Sequence, residues 1–124
     1  MHSAPAKEPD ISTRYYLRLP EPTLARGNDI ALAFRSHSAE GFAEELQQAL
    51  RTTVLFERWR SRQEDPDAVD SSLGATDPTA TVIGQPHDLA IDLIVVTALS
   101  GAVFKHRLRL LAGHHWQLRD ITAA

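Results

Sequence analysis

Cysteine is absent from this 124-residue chain, and its absence removes several functional classes at once. Disulfide scaffolds, thiolate zinc sites and cysteine nucleophiles are all excluded. Long hydrophobic runs are also missing: the longest, Leu93–Leu99, is interrupted by Thr97 and is far shorter than the roughly 20 residues of a membrane helix. Residues 1–10 contain no apolar stretch of the kind found in secretory signals. We therefore expect a cytoplasmic protein with no membrane partner.

Motifs that carry catalysis or bind cofactors are equally scarce. The histidines include one close pair, His114-His115, and no helix-spaced pair bracketed by carboxylates. No serine lies in a Gly-x-Ser-x-Gly elbow, and no glycine-rich phosphate loop is present. Asp88 and Asp92 would lie roughly 13 Å apart on a strand, too far for a glycosidase pair. We predict no catalytic, cofactor-binding or metal-binding residues, no small-molecule ligand, and no enzyme activity.

Composition and charge indicate one globular domain. Hydrophobic residues make up 43% of the chain and charged residues 23%, which are ordinary values for a packed domain. The net charge of −3 is unevenly spread, because residues 63–92 hold seven acidic side chains and no lysine or arginine. We predict a flexible N-terminal tail over residues 1–12 and a single α+β domain over 13–124, with an acidic loop at 63–79.

A central β-hairpin is the main feature that the hydrophobic pattern predicts. Two strand-like runs, Asp88–Leu99 and Val103–Leu111, flank Ser100-Gly101, a dipeptide suited to a tight turn. The resulting register collects the apolar side chains on one face and sets Asp92 opposite Arg109 on the other.

The remaining elements are predicted from alternation and helical spacing. Ser38 is a good N-cap for one main helix over about 39–51. Thr52–Arg62 is predicted as a strand, with a continuing helix as the alternative because Leu55, Arg58, Trp59 and Arg62 fit helical spacing. The other predicted strands are Arg14–Leu19, Ile30–Phe34, Ala80–Ile83 and Trp116–Ile121.

These elements predict an α+β fold with one main helix packed on a curved, mostly antiparallel sheet of five to seven strands. A helix followed by five strands, over about 38–122, resembles the element order of the Sm-like small barrels that bind RNA. The resemblance implies that the sheet curls into a small barrel. It also implies single-stranded RNA binding through a basic ribbon at 105–119, which contains Lys105, Arg107, Arg119 and Trp116.

The second face of the predicted sheet carries the main functional hypothesis. Ile94 and Val96 fall on the same face as Lys105, Arg107 and Arg109, opposite the predicted core. An uncovered apolar sheet face is an aggregation hazard, so we expect a partner to cover it. The sequence therefore favours a small non-catalytic binding or assembly module that uses these five residues as a protein interface, with a second copy or another protein as partner. RNA binding by the small barrel is the alternative.

Overall fold

The computed structural model describes residues 11–124 as three α-helices and one four-stranded antiparallel sheet. Short 3-10 turns cover Pro22–Leu24, Pro66–Ala68 and Ser71–Gly74. The elements in chain order are β1 (Thr13–Leu19), α1 (Ala39–Arg51), α2 (Val54–Ser61), β2 (Thr81–His87), β3 (Ala90–Thr97), α3 (Gly101–Ala112) and β4 (Gln117–Ala123). Residues 1–10 of the predicted tail lie outside the described residues.

The sheet is open, with the strand order β2-β3-β1-β4. The prediction of an α+β fold with an antiparallel sheet is confirmed. The predictions of five to seven strands, of one main helix and of a small Sm-like barrel are wrong, because two segments predicted as strands are helices and a third, Ile30–Phe34, is a turn. Within residues 11–124, no helix is long and apolar enough to cross a membrane.

The predicted central hairpin is wrong in its second half. β3 falls inside the predicted first strand, but α3 replaces the second, and Ser100 is a helix cap whose hydroxyl accepts the Val103 N–H at 3.3 Å. The buried residues of α3 recur at helical spacing: Val103, Phe104, Arg107, Leu108, Leu111 and Ala112. The charged Arg107 occupies a buried position within this helical stripe. Charged and apolar residues therefore alternate along the segment, and alternation predicts a half-buried strand.

Residues 52–62 follow the helical alternative. α2 buries Leu55 and Phe56, and Trp59 packs partly against the core one turn later. The prediction of a strand here is wrong, because the β-branched residues that suggested it, Thr52 and Thr53, precede the helix.

The helix predicted over about 39–51 is confirmed as α1, with Ser38 as its N-cap. Ser38 accepts the Gly41 N–H at 3.0 Å, and Glu40 lies in the first turn of α1. The strand predicted over Ile30–Phe34 is wrong. This segment is a turn that buries Leu32 and Phe34 and leaves Ile30 87% exposed.

The other strand predictions hold with shifted bounds. Arg14–Leu19 corresponds to β1, Ala80–Ile83 to the first half of β2, and Trp116–Ile121 to most of β4. The acidic segment between α2 and β2 contains two of the 3-10 turns and one buried carboxylate, Asp77.

The core lies between the helices and one face of the sheet, here called the inner face. β1 contributes Tyr15, Leu17 and Leu19 to it, all buried. The Tyr15 ring stacks on Phe104 of α3 with centroids 4.3 Å apart. On β2, Gly84 lies under the first turn of α1. The helices therefore cover the inner face over β1, β2 and β3, whereas Ile121 on β4 is 49% exposed.

Gly84 sets how closely α1 approaches β2. A Cβ at this position would lie 2.2 Å from the backbone carbonyl oxygen of Ala39, so the helix would have to move. We expect Gly84→Ala to lower the free energy of unfolding by about 1–3 kcal/mol. Gly101→Ala is the matched control, because its Cβ would meet only the Tyr15 hydroxyl at 3.6 Å. Urea denaturation compares the two, and equal stabilities would contradict the close approach.

Candidate functional site

The face of the sheet turned away from the helices, here called the outer face, is a surface that the described residues 11–124 leave uncovered. Alternation along each strand and pairing between strands define its members, none of which is buried. They form three rows across β2, β3, β1 and β4: Thr81, Val96, Arg14, Thr122; Ile83, Ile94, Tyr16, Asp120; and Gln85, Asp92, Arg18, Gln117.

The middle row is apolar over three strands. Ile83 pairs with Ile94, and Ile94 pairs in turn with Tyr16. Ile83 is 56% exposed, whereas Ile94 and Tyr16 are half-buried by their neighbours on the sheet. Val96 extends the apolar area into the next row. A contiguous apolar strip bordered by polar rows is typical of an interaction surface.

The third row contains the main ion pair of this face. The guanidinium of Arg18 donates to both carboxylate oxygens of Asp92, from Nε at 2.7 Å and from Nη2 at 3.1 Å. The hydrogen bond from Arg18 holds the pKa of Asp92 below its ordinary value, and burial opposes this effect only in part. The pair presents a fixed, neutral, bidentate unit beside the apolar row.

Ile94 and Val96 lie on this uncovered face, as the sequence analysis predicted. Lys105, Arg107 and Arg109 do not lie beside them, because all three belong to α3 on the other side of the sheet. The predicted pairing of Asp92 with Arg109 is also wrong. Arg18 takes that place, because β1 rather than residues 103–111 pairs with β3.

Arg107 is fully buried instead of exposed. Nη1 donates to the carbonyl of Ala49 at 2.7 Å, and Nη2 donates to those of Leu73 at 2.8 Å and Ala75 at 2.6 Å. Nε has no partner among the described residues, and the guanidinium lies 5.9 Å from the ring centroid of Phe56. Burial lowers the pKa of Arg107, but an arginine keeps its charge. This cation joins the end of α1 to the acidic segment.

The predicted basic ribbon is therefore not formed. Arg119 is the extra residue at an irregularity in the pairing of β4 with β1, and its guanidinium lies 3.5 Å from the side-chain oxygen of Gln117. Trp116 packs partly against the core and donates its indole N–H to the carbonyl of Gly113 at 2.9 Å. With Arg107 buried, these side chains do not follow one strand.

Of the apolar strip on the outer face, Tyr16 and Ile83 were missing from the predicted interface. Alternation in residues 14–19 places Tyr16 on the face opposite the buried side chains, so the sequence does indicate which face of β1 carries Tyr16. It does not indicate that β1 pairs with β3, because the two segments are more than 70 residues apart.

Neither a cluster of metal ligands nor similarity to a known protein assigns a site among the described residues. Residues 11–124 contain no group of three or more histidine, aspartate or glutamate side chains placed to hold a metal ion. No protein-family model, curated protein or solved structure matches this chain.

Proposed function

We propose that this protein is a non-catalytic assembly module whose outer face binds a second copy of the chain. The observation that carries the proposal is the apolar strip of Ile83, Ile94 and Tyr16, which lies between two polar rows on an open sheet face. A sheet face of this kind is stabilised by packing against another sheet about 10 Å away.

The arrangement of the rows favours a symmetric pair. A two-fold axis parallel to the strands, between β3 and β1, exchanges these two strands and also exchanges β2 with β4. Ile94 then faces Tyr16 of the second copy, and Asp92 faces Arg18 of the second copy. At the borders Thr81 faces Thr122 and Gln85 faces Gln117, whereas Ile83 opposite Asp120 and Val96 opposite Arg14 are mismatches. Such self-complementarity is what an isologous interface requires.

The other in-plane axis is unfavourable. An axis perpendicular to the strands would set each strand opposite its own copy and exchange the first and third rows, so that Asp120 would face Asp120 of the second copy. Juxtaposed like charges oppose association. The charge pattern thus selects the axis parallel to the strands, with the sheets aligned at the usual small angle.

The area of the outer face limits the expected affinity of the dimer. Four strands at about 4.8 Å spacing and seven residues at about 3.3 Å give roughly 440 Å² per copy, or about 900 Å² in total. This total is below the ~1,200 Å² at which standard stable interfaces begin. We expect a reversible dimer with a Kd of about micromolar or weaker.

Sedimentation velocity over a concentration series from about 5 μM to 1 mM tests the proposal. Ile94→Glu is expected to abolish the dimer, because it buries a charge opposite Tyr16. Leu89→Glu is the matched control: Leu89 is 91% exposed in the turn between β2 and β3, so the same change leaves the outer face intact. Circular dichroism checks that both variants fold.

Two results would overturn the proposal. The first is a wild-type protein that stays monomeric up to the highest concentration. The second is a dimer that survives Ile94→Glu with unchanged affinity. An apolar interface is also expected to persist at high salt, whereas association driven by phosphate contacts weakens steeply with salt.

A further inference from the structure

On the helical side, a groove of about 660 Å³ lies between α2, the end of α3 and the turn at 28–32. We call it the Trp59 groove. Its apolar lining comes from Trp59, Leu32 and Leu110, and its polar lining from Asn28, Asp29, Arg62, Gln63 and Arg109. This volume is in the range of small-molecule sites, which combine apolar walls with a few directed polar groups.

One wall of the groove is held rigid by Asp29. Its Oδ1 accepts the Ala31 N–H at 3.0 Å, and its Oδ2 accepts a hydrogen bond from Nε of Arg62. Both oxygens are therefore engaged, and the charge of Arg62 is neutralised by the same carboxylate. Neither side chain is free to pair with a ligand without breaking this contact.

Arg109 is the free cation of the groove. It is exposed, and its guanidinium forms no hydrogen bond or ion pair with any described residue. Since Asp29 and Arg62 cancel each other, the described residues that line the groove carry one uncompensated positive charge. A guanidinium presents parallel N–H donors that match the two oxygens of a carboxylate.

The indole of Trp59 is the apolar wall, and two rings fix it in place. The His106 ring meets it edge-on at 4.4 Å, and the Phe56 ring lies 5.8 Å away. Gln63 adds a hydrogen bond to the carbonyl of Trp59 at 2.9 Å. The wall is thus preorganised, which reduces the entropic cost of binding a ligand.

A second groove in the same region provides a contrast. It has a volume of about 490 Å³ and contains two arginines, Arg35 and Arg58, together with two glutamates, Glu44 and Glu45. Its charges balance, so it offers no net attraction to an anion. The contrast identifies the Trp59 groove as the anion-attracting one of the two.

We propose that the Trp59 groove binds a small organic acid, with its carboxylate on Arg109 and its apolar body against Trp59 and Leu110. A carboxylate is favoured over a phosphate monoester, because a single free cation neutralises a monoanion and leaves a dianion in excess. The groove lies on the opposite side of the sheet from the outer face, so this proposal is independent of the proposed dimer.

An NMR titration of the full chain with benzoate tests the proposal, followed at the indole N–H signal of Trp59. Benzyl alcohol serves as the neutral analogue, and we expect benzoate to bind at least about tenfold more tightly. Arg109→Ala is expected to weaken benzoate binding by about tenfold or more. Arg119→Ala, which removes an exposed arginine from β4, is expected to leave the affinity within about twofold.

Three results would overturn the proposal: no shift of the Trp59 signal by benzoate, equal binding of benzoate and benzyl alcohol, or unchanged benzoate affinity in Arg109→Ala. Phenyl phosphate is titrated in parallel. If it binds more tightly than benzoate, the carboxylate assignment fails and the groove is a phosphoryl site. The backbone amide spectrum of each variant verifies that it is folded, so loss of binding is not confused with loss of structure.

Discussion

Arg107→Ala is expected to lower the free energy of unfolding by about 3–5 kcal/mol. The guanidinium of this buried residue donates to three backbone carbonyls, those of Ala49, Leu73 and Ala75. Alanine would leave these acceptors without a donor and would open a cavity where the side chain lay. The loss also weakens the attachment of α1 to the acidic segment, which is then left to the hydrogen bond from the Asp77 N–H to the carbonyl of Leu50 at 2.9 Å. Equilibrium denaturation in urea measures the change.

Two further variants separate the loss of the hydrogen bonds from the loss of side-chain volume and provide an exposed control on the same helix. Arg107→Met retains most of the volume and is expected to recover part of the loss, since only the hydrogen bonds are then missing. Arg109→Ala, two residues along the same helix but exposed, is expected to change stability by less than about 0.5 kcal/mol. If Arg107→Ala were as mild as Arg109→Ala, the three hydrogen bonds would contribute nothing net.

Asp77→Ala is the second substitution with a large expected effect, about 2–4 kcal/mol. This carboxylate is 8% exposed and accepts four hydrogen bonds. Oδ1 accepts from the backbone N–H and the hydroxyl of Thr79, and Oδ2 accepts from the Thr97 hydroxyl and the Ala98 N–H. It therefore joins the entry of β2 to the exit of β3. Asp67→Ala, at an exposed position of the acidic segment, is the matched control and is expected to change the free energy of unfolding by less than about 0.5 kcal/mol.

The same carboxylate predicts how stability depends on pH. Burial alone would raise the pKa of Asp77, but the hydrogen bonds from Ala98, Thr79 and Thr97 outweigh burial and lower it. A pKa that is lower in the folded state means that the stabilisation is present above the unfolded pKa and is lost as pH falls through the folded one. We expect the free energy of unfolding to decline below about pH 4, and to decline less steeply in Asp77→Asn. Parallel slopes for the two proteins would contradict this assignment.

Local signals in the sequence were sufficient for α1 and β1. Ser38 caps a segment with one apolar stripe, and residues 14–19 alternate cleanly, so neighbouring residues alone determine both elements. The outward position of Ile94 and Val96 follows in the same way from alternation along β3. These predictions held because they do not depend on which segment pairs with which.

The parts that failed depend on distant partners or on a buried charge. Residues 101–112 were misread because Arg107 occupies a core position that an apolar residue would normally mark. Its partners are carbonyls of Ala49, Leu73 and Ala75, which no side-chain pattern reveals. Pairing of opposite charges was also a poor guide to register, since Asp92 had more than one arginine available and the sequence does not distinguish Arg18 from Arg109.

The position of β1 inside the sheet has a consequence for synthesis. β1 is made before the other described strands and helices, yet its neighbours are β3, whose paired residues are 91–97, and β4, whose paired residues extend to Ala123. While the chain grows, α1, α2 and the β2–β3 hairpin can form from local contacts, but β1 lacks both neighbours until β3 has been made, and its β4 edge stays open until residue 123 has been added. An apolar strand with two unpaired edges is prone to associate with other chains. The nascent chain, rather than the finished fold, is thus the stage at which β1 is most prone to associate with other chains.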